Sequence, residues 1–433
     1  MKIFLTGASG FIGGHVLNAL VERGHQVTCL LRGRSAAHIR AMALPGCSVV
    51  EGEFTRPETW LSSVAGHDAV VNAVGIIRET ASASFEQVHQ LSPIALFTAA
   101  LTGGVKKIVQ VSALGADEQA ASQYHRTKRA ADQFLVEKCA ANTVTTFAVL
   151  RPSFVYGPQD ESMAFFLSLA AQPVTAVPGD GQYRVQPVHV ADVVRAVVAA
   201  LENPALKNIV QDVGGAHALS FDEMLDVLAR RLGKASATKI HVPLAVMKLV
   251  AGFTDLCGGH GPITGEELAM LQRGNFCSGE QERLFVERFG FQPLAFEEGI
   301  ARRPLSQQDI WNARMNPWRL PLRPTIAFIW IATGVVSAFI SPAQGLQLLD
   351  QIGITGTLAS ALMYGTSIFE IIIGLLTVFG IRVWLMGAIQ LLLMFGFMGI
   401  LTLRMPELWF HPFGPLTKNI PLIGATLVMM AWE

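Results

Sequence analysis

The sequence predicts an α/β protein: a doubly wound parallel sheet with a small second lobe, followed by an all-α bundle of about four transmembrane helices. Two observations carry this. Short apolar runs alternate with helix-period segments through the first 300 residues, the pattern of a parallel sheet covered on both faces. Beyond residue 323 charge nearly vanishes: only Asp350, Glu370, Arg382, Arg404, Glu407, Lys418 and Glu433 remain of 33 basic and 33 acidic residues.

Taken in order, residues 3–6 form a strand-like run, residues 7–13 a glycine loop, and Phe11–Glu22 an amphipathic helix that stops at Gly24. Further strands are expected at Gln26–Leu31, 48–51, 67–74, Lys107–Val111 and 146–150. The domain boundaries that follow are a dinucleotide-binding domain over 1–150, a substrate lobe interleaved with it over 151–300, a basic linker over 301–323 and a membrane domain over 324–433.

Composition excludes several classes. Basic and acidic residues cancel, which argues against a polybasic nucleic-acid binder, and 51% hydrophobic content argues against disorder. Five cysteines without a C-x-x-C pair argue against a disulfide framework or a zinc site. No metal-ligand cluster is expected, and the N-terminal apolar run is too short for a signal peptide.

The first chemical motif is Gly7-Ala8-Ser9-Gly10-Phe11-Ile12-Gly13. Glycines let backbone amides approach a pyrophosphate, and the following helix N-terminus favours its charge. The strand before it and the helix after it are the context that gives such a triplet meaning. Arg32, in Leu31-Arg32-Gly33-Arg34, lies where an acid would select NAD. A guanidinium there suits a 2′-phosphate, which favours NADP(H) over NAD(H).

The second motif is Tyr124-His125-Arg126-Thr127-Lys128. Tyr124 and Lys128, at i and i+4, share a helix face, and a nearby ammonium is expected to lower the phenol pKa. Ser112, at the end of the fifth strand, is placed to hold a substrate oxygen.

These residues resemble the short-chain dehydrogenase/reductases, in particular the extended and atypical branch related to the 39 kDa accessory subunit of respiratory complex I. The resemblance rests on residues 6–13, N-A-V-G at 72–75, V-S-A-L-G-A at 111–116, the Y-H-R-T-K run, R-P-S-F-V-Y-G-P at 151–158 and Q-P-V-H-V-A-D-V at 186–193. It implies a Rossmann domain in which Gly7, Gly10, Gly13 and Arg32 bind the cofactor while Asn72, Ala73, Val74 and Gly75 pass beside it. It further implies that Lys128 binds the nicotinamide ribose and Tyr124 is the acid/base. Pro152, Ser153 and Val155 would line the nicotinamide. Glu53 stands where relatives usually carry Asp at the adenine. His189 and Asp192 are expected to order the lobe, and Arg184 to be either a surface residue or an anion site.

In the last part, residues 324–340, 356–379, 383–403 and 419–432 are apolar segments of 17, 24, 21 and 14 residues. About 20 apolar residues cross a hydrocarbon core. The fourth is short: its helix is expected to tilt inward or to extend back over 416–418 or to Phe413, the competing geometry being three spans with this last segment in the outer interface. Arg302, Arg303, Arg314, Arg319 and Arg323 precede the first segment, while 341–355 carries no Lys or Arg, which predicts a cytoplasmic N-terminal domain on an inner membrane. Trp311, Trp318, Trp409 and Trp432 suit an interfacial belt. Residues 315–433 resemble a DoxX-like module through G-T-S-I-F-E-I-I-I-G-L-L at 365–376 and H-P-F-G-P-L at 411–416. Glu370 should face the bundle interior with Gln390 as its partner.

Three functions fit. The first is a membrane-anchored NADP(H)-dependent oxidoreductase acting on a carbonyl or quinone-type lipophilic substrate. The second is a non-catalytic NADPH-binding subunit or assembly factor of a respiratory or quinone-biosynthetic membrane complex. The third is a nucleotide-sugar epimerase or dehydratase.

Overall fold

The computed structural model describes residues 1–80, 82–158, 160–256, 263–302, 304–412 and 414–432. Cys257, Arg303, Phe413 and Glu433 therefore lie outside the described residues. The chain divides into two compact units, Met1–Ile310 and Trp311–Glu433.

The first unit is built on strands β1 (Lys2–Thr6), β2 (Gln26–Leu31), β3 (Cys47–Glu51), β4 (Ala69–Asn72), β5 (Lys107–Val111), β6 (Thr146–Pro152) and β7 (Ile209–Val213). All pairs are parallel, in the order β7-β6-β5-β4-β1-β2-β3. The order reverses beside β1, so a crevice opens at the carboxyl ends of β1 and β4, where this topology binds ligands. Strand alternation builds the two faces. Ile3 and Leu5 pack with Val16, Leu17 and Leu20 of α1 (Phe11–Glu22). Phe4, on the other face, packs with Leu96 and Phe97 of a helix over Ser92–Thr102.

β7 is an element the sequence reading did not anticipate. It lies inside the segment assigned to the substrate lobe and pairs with β6 from Ile209↔Ala148 to Val213↔Pro152. The lobe itself carries small strand pairs, such as Thr175–Pro178 with Lys239–Val242, and the helices Leu244–Leu256 and Gly265–Arg273.

Among the described residues three stretches are long and apolar enough to cross a membrane: Gln307–Ile340, which begins four residues before the second unit, and Gly356–Val378 and Val383–Arg404 within it. Residues 307–323, expected as a linker, are helical. Ser306 and Asp309 cap the start reciprocally, with the Asp309 N–H donating to Ser306 Oγ and the Ser306 N–H to the Asp309 carboxylate. No glycine interrupts the run before Gly334, and Pro317, Pro321 and Pro324 fall inside the helix. The loop expected over 341–355 contains a further helix, Pro342–Gln351.

The fourth apolar helix, Asn419–Trp432, has 14 residues and does not extend back over 416–418. Gly414 takes φ +53°, Thr417 Oγ1 donates to the Gly414 carbonyl, and the Asn419 N–H bonds three residues back to Leu416, so the chain turns there instead.

Glu370 faces the bundle interior, as expected for a carboxyl in an apolar segment. Its expected partner does not meet it: Gln390 Nε2 donates to Thr377 Oγ1 at 2.9 Å, since Thr377 lies two helical turns past Glu370. Glycines allow the close packing. A Cβ on Gly374 would come within 2.5 Å of the Ile331 side chain, and one on Gly334 within 2.5 Å of the Ser367 carbonyl.

Candidate active site

The glycine loop follows β1 because backbone must pass where side chains cannot. Gly7 has φ +83°, and a Cβ there would meet the Ala73 carbonyl group at 2.6 Å. A Cβ on Gly13 would sit 2.0 Å from the Gly7 carbonyl oxygen, whereas one on Gly10 would be 3.3 Å from it. The Gly10 N–H donates to the Gly7 carbonyl and the Gly14 N–H to the Gly10 carbonyl, which turns Ala8, Ser9 and Gly10 into α1. Phe11 and Ile12 open that helix and pack against the sheet core.

Behind the loop, Thr6, Asn72 and Gln110 form a buried polar rung across the ends of β1, β4 and β5. Thr6 Oγ1 donates to Asn72 Oδ1 (2.6 Å), and Asn72 Nδ2 donates to Gln110 Oε1 (2.8 Å). Asn72 Oδ1 also accepts from the Val74 N–H at 3.3 Å, which sets the course of Ala73, Val74 and Gly75.

At the end of β2, Arg32 is exposed, and its guanidinium meets Glu53 at 3.4 Å. Gly33 takes φ +44°, and Arg34 lies in the helix that begins there, Gly33–Ala41.

Tyr124 and Lys128 lie on helix Gln123–Ala140, whose N-cap Ser122 accepts from the His125 N–H. Lys128 is buried at 4% exposure, and its Nζ donates to the carbonyls of Val74 and Val111, each at 3.3 Å. Burial lowers its pKa to about 8, opposed by the charge of Asp132 one turn on.

The expected depression of the Tyr124 pKa is overturned. Lys128 spends its donors on backbone carbonyls, and burial instead raises the phenol to about 12. The half-buried ring is caged by the edges of Phe85, His89 and His125, with ring centroids 5.8, 5.1 and 5.1 Å away. Among the described residues its hydroxyl has no hydrogen-bond partner.

Ser112 is also placed differently from expectation. Its hydroxyl donates to Asp132 Oδ2 at 2.8 Å, so its proton is not directed at a substrate oxygen. Arg151 Nε reaches the same carboxylate at 3.1 Å. Asp132 is 1% exposed, and desolvation raises its pKa to about 6 against the pull of Arg151 and Ser112.

Ser153 Oγ donates to the Gln186 carbonyl, the Ser153 N–H bonds to Val213, and Val155 pairs with Val188, so Pro152–Val155 is tied into the lobe. His189 caps helix Val190–Glu202 by accepting from the Ala191 N–H, and Asp192 accepts from the Leu294 N–H, both structural bonds. Arg184 stacks on Phe276 at 4.2 Å.

Several participants escaped the sequence reading. His89, 1% exposed, accepts from the Ile76 N–H at 3.0 Å, and burial keeps it neutral. Helix Gly265–Arg273 holds three separate parts of the site rim. Glu267 takes Arg78 in a two-bond fork (2.8 and 2.9 Å), Glu266 accepts from the Gln123 N–H, and Arg273 donates to the Gly115 carbonyl and Asp117. Asp132 stood in the sequence at i+4 from Lys128; the other contacts join positions 13 to 189 apart and carry no local signal.

The glycine cradle, the polar rung and a buried ammonium beside the β4 loop fit a dinucleotide. They define a nicotinamide-dinucleotide-binding domain of the reductase and epimerase type, joined to a unit of membrane helices.

Residues 3–213 match the NAD dependent epimerase/dehydratase family and residues 327–427 the DoxX-like family, which together with the long apolar helices points to a membrane domain. One similar protein is the mitochondrial NADH dehydrogenase [ubiquinone] 1 alpha subcomplex subunit 9 of Arabidopsis thaliana, 30% identical over 51% of this chain and 56% of that one. The chain thus spans little more than half of that relative. Another is the 2-alkyl-3-oxoalkanoate reductase of Stenotrophomonas maltophilia, 27% identical over 70% of this chain and 98% of that one. The dTDP-glucose 4,6-dehydratase of Bacillus anthracis shares the fold with a TM-score of 0.53 at 18% identity, covering 73% of this chain and 97% of that one.

Proposed function

We propose that this protein is a membrane-anchored, NADP(H)-dependent reductase of a carbonyl or quinone group on a lipophilic substrate, with its first unit on the cytoplasmic side of an inner membrane. The observation that carries the reading is the Tyr124 hydroxyl, without a hydrogen-bond partner among the described residues, on the same helix as a Lys128 that touches the loop after β4.

Bound NADPH would supply a hydride from nicotinamide C4 to the carbonyl carbon. The chain supplies the proton. A phenol held near pKa 12 is protonated at neutral pH, so Tyr124 acts as the acid that gives its proton to the carbonyl oxygen. Lys128 fixes the loop at Val74 and would meet the nicotinamide ribose. Gly7 to Gly13 would receive the pyrophosphate and Arg32 the 2′-phosphate. Ser112 orients Asp132 in this scheme and holds no substrate atom. The relative named a 2-alkyl-3-oxoalkanoate reductase supports a ketone on an alkyl chain as the substrate class.

A second reading has its own observation. Among the described residues no lysine hydrogen bond reaches the Tyr124 hydroxyl, and Ser112 is turned toward Asp132. With a complex I subunit among the relatives, this supports a role in which NADPH stabilises the fold of a subunit or assembly factor without turnover.

One experiment separates the two. The protein is purified in detergent, its bound nucleotide identified, and NADPH oxidation followed with a membrane lipid extract. Oxidation above that of a Tyr124→Phe control supports the reductase; bound NADPH that the extract leaves reduced supports the structural role.

A further inference from the structure

Helix Leu244–Leu256 (LAVMKLVAGFTDL) is built with its apolar residues outward. Val246, Leu249, Val250, Phe253 and Leu256 are 46, 75, 36, 69 and 84% exposed. Their spacing of three and four places them along one stripe of the helix. On the other side Ala251 and Thr254 are buried, and the helix packs against Gly265–Arg273. A water-facing helix reverses this arrangement, and a stripe this apolar marks a surface that something covers. Its charged residues are Lys248 and Asp255, and Asp255 is engaged in accepting from the Gly265 N–H.

The same chain names the cover. Among the described residues its C-terminal region carries three helices long and apolar enough to cross a bilayer, and a chain that spans through them holds its first unit at a lipid surface. Tethering converts weak interfacial affinity into stable seating, because the local concentration of lipid is already high. A helix with Leu, Val and Phe on one face and few charges binds among lipid headgroups by apolar burial.

We propose that helix Leu244–Leu256 lies in the membrane interface with Leu249, Phe253 and Leu256 inserted among the lipids, and that the substrate lobe faces the bilayer through it. The neighbouring helix Gly265–Arg273 grips the rim of the site through Glu266, Glu267 and Arg273. The lipid-seated helix therefore backs directly onto a wall of the catalytic crevice. This deepens the reductase reading by giving a lipophilic substrate a short route from bilayer to crevice, yet the docking itself involves neither substrate nor cofactor.

The test uses the full chain reconstituted in phosphatidylcholine–phosphatidylglycerol vesicles. A fluorophore is attached at Leu249→Cys or Phe253→Cys, with Glu137→Cys, exposed on helix Gln123–Ala140, as control. Vesicles with brominated acyl chains are expected to dim the 249 and 253 labels at least twofold and leave the 137 label unchanged. The quenching should persist in 1 M NaCl, because apolar burial holds the helix. Labels at 249 and 253 that behave like the one at 137 overturn the proposal. So does shielding from aqueous iodide without quenching by bromolipid, which would mean a protein surface covers the stripe. Hydrogen exchange of unmodified protein provides a second measurement: residues 244–256 should exchange at least tenfold more slowly in vesicles than in an amphipathic polymer belt, and equal rates overturn docking. Either failure leaves the NADPH oxidation assay untouched, and a negative assay leaves the docking result standing.

Discussion

Lys128 donates from its ammonium to the carbonyl of Val74, 54 positions earlier in the chain, and thereby joins the helix that carries Tyr124 to the loop that follows β4. The same ammonium reaches Val111 at the end of β5. The lysine is a brace between elements first, and its influence on Tyr124 is through position.

This separates the roles of the pair. Tyr124→Phe removes the proton donor alone, so turnover should fall about 10²-fold or more while NADPH affinity stays within about twofold of wild type. Lys128→Met should raise the NADPH dissociation constant as well as lower turnover. Steady-state kinetics with fluorescence titration checks both, and a Tyr124→Phe protein with full turnover removes Tyr124 from the chemistry.

Cofactor choice should respond to both members of the Arg32 and Glu53 pair. Arg32→Ala should reduce the preference for NADPH over NADH by roughly tenfold, the scale of one charge-assisted hydrogen bond. Glu53→Gln should tighten NADPH, since it frees Arg32 and removes a negative charge beside the expected phosphate. Two dissociation constants for wild type and for each variant decide the matter, and an unchanged ratio in Arg32→Ala withdraws the assignment.

The glycines divide by the room around them. Gly13→Ala places a methyl 2.0 Å from the Gly7 oxygen and should cost roughly 2 kcal/mol or more in the nucleotide-free protein. Gly10→Ala, with 3.3 Å, should fold with near wild-type stability and show its defect in nucleotide binding. Thermal melts with and without NADPH distinguish the two.

Acid stability should depend on His125. Burial lowers its folded pKa to about 4, whereas the unfolded chain protonates near 6.5. Its contribution is therefore present above pH 6.5 and lost as pH falls toward 4, on the order of 2 kcal/mol by pH 5. His125→Gln should flatten the fall in melting temperature between pH 7 and pH 5. Asp132, raised to about 6, acts in the opposite sense: its contribution is present below the unfolded value and lost as pH rises through 6. An unchanged acid slope in His125→Gln contradicts the buried-neutral state.

The legible parts of this chain were those written locally. Phe11–Glu22 and Gln26–Leu31 could be bounded from periodicity and glycines, because strand and helix spacing are properties of adjacent residues. β7 was missed because Ile209–Val213, five residues containing Gln and Asp, reads as polar; its place is set by pairing with β6 across 61 positions. The Tyr124 and Lys128 spacing was visible, but their separation was not. Spacing puts two side chains on one face, and only the carbonyls of Val74 and Val111 decide where a flexible ammonium ends. The segment expected as a basic linker over 301–323 is helical from Gln307, because Ser306 and Asp309 start a helix that continues through all three prolines.

β7 also bears on modularity. A fragment cut at residue 150 would leave β6 as a bare edge, with the carbonyls and amides of Ala148–Leu150 that face Ile209–Gln211 open to any passing strand. Such a fragment should self-associate through that edge even though every motif for the dinucleotide up to Leu150 is present. Recombination with a different membrane anchor would therefore have to exchange the whole of Met1–Ile310, because the sheet is completed from beyond the lobe's own starting point.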